Sequence, residues 1–261
     1  MEEMKEIPKI IHYCWFGKKE MEEEQKQCIL SWKKFLPNYE IKEWNESNFD
    51  IEQCQFAREA YEQGKYAFVS DYARAKILYE EGGIYLDTDM KVLREIPTFI
   101  IQNQFLGFER KAFVGTAIMG MNAGNEMMKA MVEHYEQHSF VQSDGTTDQI
   151  ANVSLLTDFL KQRGLVLGGE RQSVAGIEIY PREWFYPKKL GEGKFRFTED
   201  TVAVHLCKNS WMSTREKKRG NSFVWTQIIR PLLRGGRRVG IAIVGKERIR
   251  KLEIKIRDRL R

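Results

Sequence analysis

Residues 70–89 read SDYARAKILYEEGGIYLDTD. The pattern from Lys65 to Glu80 is helical, and Gly82-Gly83 ends it, because glycine takes the left-handed turn that closes a helix at no steric cost. Ile84-Tyr85-Leu86 is then a short buried strand that runs straight into Asp87-Thr88-Asp89. A helix leading into a buried strand is the repeating unit of an α/β fold, and open α/β sheets bind ligands outside the carboxyl ends of their strands. Two carboxylates two apart in extended chain point the same way, so Asp87 and Asp89 can approach one divalent ion. Such an ion would neutralise a diphosphate and act as a Lewis acid for its departure. A solvated acidic loop has the same composition, and the buried strand ahead of the pair is what favours a ligand.

Working outward, Ile7 to Trp15 (IPKIIHYCW) reads as a buried strand opened by a proline and closed at Gly17. Residues 20–36 are expected to be helical up to Pro37, and Tyr39 to Trp44 alternates as a second strand. Helices are expected at Gln53–Gln63 and Lys65–Glu80, then strands at Gln104–Phe108 and Val114–Met121. Further helices are expected at Asn125–Gln137, Thr147–Arg163 and Phe223–Leu233. Leu165–Pro187 is strand-rich and irregular, and Thr201–Leu206 (TVAVHL) is a last clear strand. The alternation in the first half argues for a mainly parallel sheet; the second half is mixed.

The chain has 261 residues, 42% of them hydrophobic and 30% charged, a globular composition long enough for one large domain and a substantial core. No apolar run approaches the ~20 residues of a membrane span. The acidic opening MEEMKEIPKI lacks the apolar stretch of a secretory signal, so a cytoplasmic protein is expected. Cys14, Cys28, Cys54 and Cys207 are scattered without metal-finger spacing and read as reduced, mostly buried thiols. The net charge of +5 is local in origin. Residues 230–261 hold 12 Lys or Arg against three acids, a net +9, which leaves −4 on the other 229 residues. Nucleic-acid binding is not expected: the tail has no aromatic residue for base stacking.

Three further signals have two readings each. Asp71 and Arg74, three apart, share a face near a helix start, either as a capping Asp with a surface ion pair or as a carboxylate for sugar hydroxyls and a guanidinium for phosphate. His205 ends an apolar strand, either as a satisfied core histidine or as a neutral imidazole ligand of manganese. Asp148-Gln149 stands at an expected helix start, where an Asp is favoured by the helix dipole alone. Other signals fail. Gly240 to Lys246 mimics a P-loop, but Glu247 stands where Ser or Thr must meet magnesium. His134 and His138 flank Glu136, so H-E-x-x-H is absent.

Taken together, I-P-K-x-I-H at 7–12, S-D-x-x-R at 70–74 and G-G-x-Y-x-D-x-D at 82–89 resemble glycosyltransferase family 32. These are DXD-containing sugar transferases that include mannosyltransferases and bacterial capsule enzymes. The likeness is dense over residues 7–93 and thins to scattered positions as far as Trp211. It implies a GT-A fold, a nucleotide-sugar donor and a divalent metal, Mn2+ or Mg2+. By the same resemblance Asp87 and Asp89 would be the DXD carboxylates, and Asp71 and Arg74 would touch the donor. Trp15, if not a core residue, would stack on the base, and a late His205 would close the metal site. Ser210 and Trp211 would lie near the diphosphate, and Asp148-Gln149 near the reacting sugar. By the same resemblance the donor would be a UDP-sugar or GDP-mannose, and a UDP-sugar is favoured.

The expectation is an α/β, GT-A-type nucleotide-sugar-binding sandwich with a mixed, mainly parallel central sheet over residues 1–229, and a basic amphipathic helical tail over 230–261. Its activity would be metal-dependent, retaining transfer of a hexose to a glycan or lipid-linked acceptor in surface polysaccharide synthesis. In a helix from Lys246, Ile249, Leu252, Ile256 and Leu260 form one apolar stripe flanked by bases, which suits an anionic membrane surface at the inner face of the plasma membrane or packing on protein. A metal-dependent phosphodiester or pyrophosphate hydrolase would use the same carboxylates but needs ligands for a second ion. A non-enzymatic membrane-binding module would leave the DXD segment unexplained.

Overall fold

The computed structural model describes residues 6–148, 150–188 and 195–206. In chain order the elements are β1 (Ile10–Cys14), α1 (Glu23–Phe35), β2 (Glu40–Trp44), α2 (Gln55–Glu62), α3 (Tyr66–Glu80), β3 (Gly83–Leu86), β4 (Met90–Val92), α4 (Thr98–Ile101) and β5 (Gln104–Arg110). There follow β6 (Phe113–Val114), β7 (Ile118–Met121), α5 (Glu126–Glu136), α6 (Asn152–Lys161), β8 (Gln172–Val174), β9 (Ile177–Tyr180), a 3-10 turn at Arg182–Trp184 and β10 (Ala203–His205). The main sheet has the order β2-β1-β3-β7-β5-β9-β8, with β6 on the flank of β5. β2, β1, β3, β5 and β9 run one way, and β7 and β8 run against them. This is the mixed, mainly parallel α/β sandwich that the resemblance implied. β10 and β4 pair antiparallel in a separate two-stranded sheet.

Alternating side chains put a core on each face of the sheet. Ile84 and Leu86 of β3 join Ile11, Tyr13, Cys28 and Trp32 on the side covered by α1. Tyr85, between them in sequence, joins Tyr72, Leu78, Met119, Met128 and Leu156 on the side of α2, α3, α5 and α6. α3 is buried on most of its surface, with Val69, Tyr72, Ala73, Arg74, Ala75, Ile77 and Leu78 all covered. It ends as its glycines require: Gly82 and Gly83 have φ of +68° and +97°, and a Cβ on Gly83 would stand 2.7 Å from the Ile10 carbonyl oxygen.

The central elements agree with the sequence pattern, and four details correct it. Asp71 and Arg74 lie in the middle of α3, since the helix begins at Tyr66. The strand expected over 114–121 is two pieces, β6 and β7, separated by Gly115-Thr116-Ala117. The helix expected from Thr147 begins at Asn152. The Asp148 carboxylate accepts from the Ile150 amide at 3.0 Å, so this Asp closes a turn ahead of α6 and is not in its first turn. β4 and α4 were not anticipated, being only three and four residues long.

Cys14, Cys28 and Cys54 are buried thiols, and there is no disulfide among the described residues. Among the same residues no helix is long and apolar enough to cross a membrane. Gln149, Cys207, Ser210, Trp211, the helix expected at 223–233 and the tail from 230 lie outside the described residues.

Candidate active site

The site is built at the carboxyl ends of β1 and β3. These strands are parallel with Ile11 opposite Ile84 and His12 opposite Tyr85, a register that carried forward brings Cys14 level with Asp87. The chain leaving β3 is pinned at each step. The Asp87 amide donates to the Ala117 carbonyl at 2.8 Å, and the Met90 amide returns to the Asp87 carbonyl at 2.8 Å. Helix α1 grips the next residues from the side: the Trp32 indole donates to the Met90 carbonyl at 2.7 Å and the Val92 amide donates to the Ser31 hydroxyl at 3.0 Å. Asp87 and Asp89 therefore sit on a short, fixed turn.

β10 brings the third member. It lies against β4 with His205 opposite Met90, and the Leu206 amide donates to the Asp89 carbonyl at 3.0 Å. His205 Nε2 is 3.1 Å from Asp89 Oδ1. Asp87, Asp89 and His205 each offer a ligand atom within 4.8 Å of the others, and among the described residues they are the only such group. Two carboxylates and an imidazole fit a divalent ion of the manganese kind, which accepts oxygen and nitrogen ligands. Among the described residues, the contacts that Asp87 makes to Arg74 and Tyr85 both use Oδ1.

Behind the turn stands Arg74, only 5% exposed. Its Nη1 is 3.1 Å from Asp87 and donates to the Thr116 carbonyl at 2.9 Å; its Nη2 is 3.1 Å from Asp71. Nε donates to the Ser70 carbonyl at 3.2 Å, and the guanidinium lies over the Tyr85 ring at 4.6 Å. The first reading of Arg74, a surface ion pair, is thus excluded, and the guanidinium is ringed by acceptors of its own chain. The same Asp71 oxygen, Oδ1, also accepts from the Asn152 side-chain amide at 2.5 Å. Burial pushes the Asp71 carboxyl up, to about 7, against the pull of Arg74, and the Asp87 carboxylate adds to the rise.

Trp15 follows β1 directly and is half-buried, packed on the α1-side core by part of its ring. Burial raises the pKa of the Tyr135 hydroxyl, and the charges of Asp71 and Asp148 add to the rise. The structure thus brings Asp71, Arg74, Asp87, Asp89 and His205 together, with Trp15 at the end of the adjacent strand. Several supporting residues had no sequence signal that named them. Asn152 opens α6 and reaches Asp71 across 81 positions. The Tyr186 hydroxyl accepts from the Ala117 and Ile118 amides, each at 3.2 Å, and so holds the loop that holds Asp87. His12, the last residue of the I-P-K-x-I-H motif, is fully buried: Nε2 donates to the Gly82 carbonyl at 2.9 Å and Nδ1 accepts from the Trp44 indole at 3.1 Å. That pair of contacts requires the neutral ring, and burial lowers its pKa to about 4.

Comparison with known proteins follows the same segment. Residues 22–106 match the family model described as "Glycosyltransferase sugar-binding region containing DXD motif". No curated protein sequence matches the chain. Among solved structures, the PaToxG glycosyltransferase is similar with 19% identity over 60% of this chain and 70% of its own, at a TM-score of 0.48. A glycosyltransferase involved in the glycosylation of the major capsid of PBCV-1 is similar with 12% identity over 80% of this chain and 96% of its own, at 0.43. The matched region runs from the start of α1 into β5 and takes in the whole Asp87-Thr88-Asp89 turn with the α3 residues that brace it, so over these residues the chain is similar to the DXD-containing glycosyltransferases.

Proposed function

We propose that the chain is a metal-dependent, retaining glycosyltransferase that moves a hexose from a UDP-sugar to a glycan or lipid-linked acceptor in surface polysaccharide synthesis. The observation that carries this reading is the convergence of Asp87, Asp89 and His205 within 4.8 Å at the end of a buried strand. Bound by these three, Mn2+ or Mg2+ supplies positive charge for the departing diphosphate. The protein's own part is to hold that geometry: Arg74 fixes the separation of Asp71 and Asp87, and Trp15 takes the base at the next strand end. The C1–oxygen bond to the diphosphate breaks and a bond from the acceptor hydroxyl to C1 forms on the same face, with the hydroxyl proton leaving to the departing phosphate oxygens. Residues 230–261 are proposed to dock the enzyme on an anionic cytoplasmic leaflet, where a lipid-linked acceptor would stand.

A two-metal hydrolase is disfavoured because no second cluster of ligands accompanies the first among the described residues. The test is a panel of UDP- and GDP-sugars in Mn2+, scored by nucleotide release, with the anomeric configuration of the product read by NMR. Release from one UDP-sugar with retained configuration supports the reading. Inverted product overturns the stereochemistry, preferred use of a GDP-sugar overturns the donor, and hydrolysis of simple phosphodiesters in place of sugar transfer overturns the reaction class.

A further inference from the structure

The segment after β1 is held by one carboxylate from the neighbouring strand's loop. Glu46 follows β2 in a turn of its own, stiffened by hydrogen bonds from the Asn45 amide to Asn48 Oδ1, from the Ser47 amide to Asn45 Oδ1 and from the Phe49 amide to the Asn45 carbonyl, all at 2.9–3.0 Å. From there Glu46 Oε1 accepts from the Gly17 amide at 2.7 Å and from the Tyr61 hydroxyl at 2.9 Å. Gly17 is where the chain reverses: its φ is +96°, and Lys18 follows at +57°. A Cβ on Gly17 would stand 2.4 Å from the Tyr66 ring, whose centroid lies 5.3 Å from that of Tyr61. The carboxylate and the two tyrosines thus close around the turn. Its outcome is to return the Lys19 carbonyl to the Trp15 indole N–H, 2.6 Å away, while the Trp15 amide donates to the Trp44 carbonyl at 2.8 Å. The orientation of the Trp15 ring is therefore set at the far side of the turn that Glu46 fixes.

We propose that Glu46 is a positioning residue for nucleotide binding, acting through the Gly17 turn to orient Trp15 toward the base. The inference rests on the reading of Trp15 as the base-stacking residue. Glu46 itself touches neither base nor metal in this account. A left-handed non-glycine residue costs free energy that the surrounding contacts must offset, which is how a turn comes to be held in one geometry at a binding site.

The test is calorimetric titration of full-length protein with UDP and with GDP in Mn2+, for wild type, Trp15→Ala, Glu46→Ala, Glu46→Gln and Glu46→Asp, with Tm measured for each. Glu46→Ala is expected to weaken the tighter-binding nucleotide about tenfold and to raise donor KM alike, with kcat at saturating donor within about twofold. Glu46→Gln keeps an acceptor oxygen in place and is expected to bind within about threefold of wild type. Glu46→Asp withdraws the carboxylate by one methylene without emptying the site, and is expected to behave as the alanine variant does even if that variant folds poorly. Weakened binding in Trp15→Ala with unchanged binding in folded Glu46→Ala and Glu46→Asp overturns the inference alone. Unchanged binding in Trp15→Ala, or no binding of either nucleotide by wild type, overturns the Trp15 reading and the inference together.

Discussion

Arg74 meets four acceptors at once: Asp71, Asp87 and the carbonyls of Thr116 and Ser70. Only a planar fork of donors does this; a lysine keeps the charge and satisfies one or two of them. Arg74→Lys is accordingly expected to lower turnover at least about tenfold, roughly 1.4 kcal/mol of barrier, and to lower Tm as well. Steady-state kinetics at wild-type level, with Tm alone reduced, would make the Asp71–Arg74–Asp87 chain purely structural. His12 gives a second residue-scale expectation. The unfolded chain takes a proton there below about 6.5, whereas the folded one takes it only below about 4. Stability supplied by the neutral ring is thus present above that window and lost as pH falls through it, up to about 3 kcal/mol. Thermal unfolding between pH 7 and pH 4.5 should show a steeper decline for wild type than for His12→Gln; equal slopes would remove His12 as the group responsible. Asp87, Asp89 and His205 stand out in the chain because carboxylates and an imidazole at the ends of apolar strands need partners, whereas Asp71 and Arg74 are singled out only by the family resemblance. Asn152 and Tyr186 could not, since each acts across tens of positions, and the contribution of Thr116 is a backbone carbonyl that no side chain announces.

At the scale of elements, what positions the site is the short connection between β6 and β7. The sequence alone places it inside one strand, because Val114 to Met121 is mostly small and apolar and periodicity does not reveal a break. At this break Tyr186 occupies the space beside Gly115, where a Cβ would lie 2.4 Å from the phenol ring and hydroxyl. Gly115→Ala is therefore expected to cost about 1–3 kcal/mol by overpacking and to reduce turnover, since the displaced loop carries the carbonyls that hold Asp87 and Arg74. Urea unfolding and initial rates check this together; a stable variant with normal rates would show that the loop tolerates movement. The strand–helix–strand order of the first ninety residues is legible, by contrast, because Pro8, Gly17, Pro37 and Gly82-Gly83 punctuate it. The turn at Asp148 was misread because Asp favours both a first helical turn and a side-chain-closed turn, and only the hydrogen bond to Ile150 distinguishes them.

At the scale of the molecule, the acidic body and the +9 tail ask to be separated. Flotation with anionic and neutral liposomes, comparing the full chain with one ending near Gly235, is expected to lose anionic binding on truncation, each surface cation adding about 1 kcal/mol at low salt. Equal binding of both proteins, or binding indifferent to lipid charge, would return the tail to the fold or to a protein partner. Catalysis itself is assigned to the turn at the end of β3. The most direct test of that assignment is the rate of nucleotide release from the preferred donor as a function of Mn2+ concentration, for wild type and for Asp89→Asn of equal Tm. Wild type is expected to show saturable dependence on Mn2+ and loss of the rate in excess chelator, and Asp89→Asn no measurable turnover at any Mn2+ concentration. A wild-type rate that persists in chelator, or an Asp89→Asn variant that turns over like wild type, would contradict the assignment.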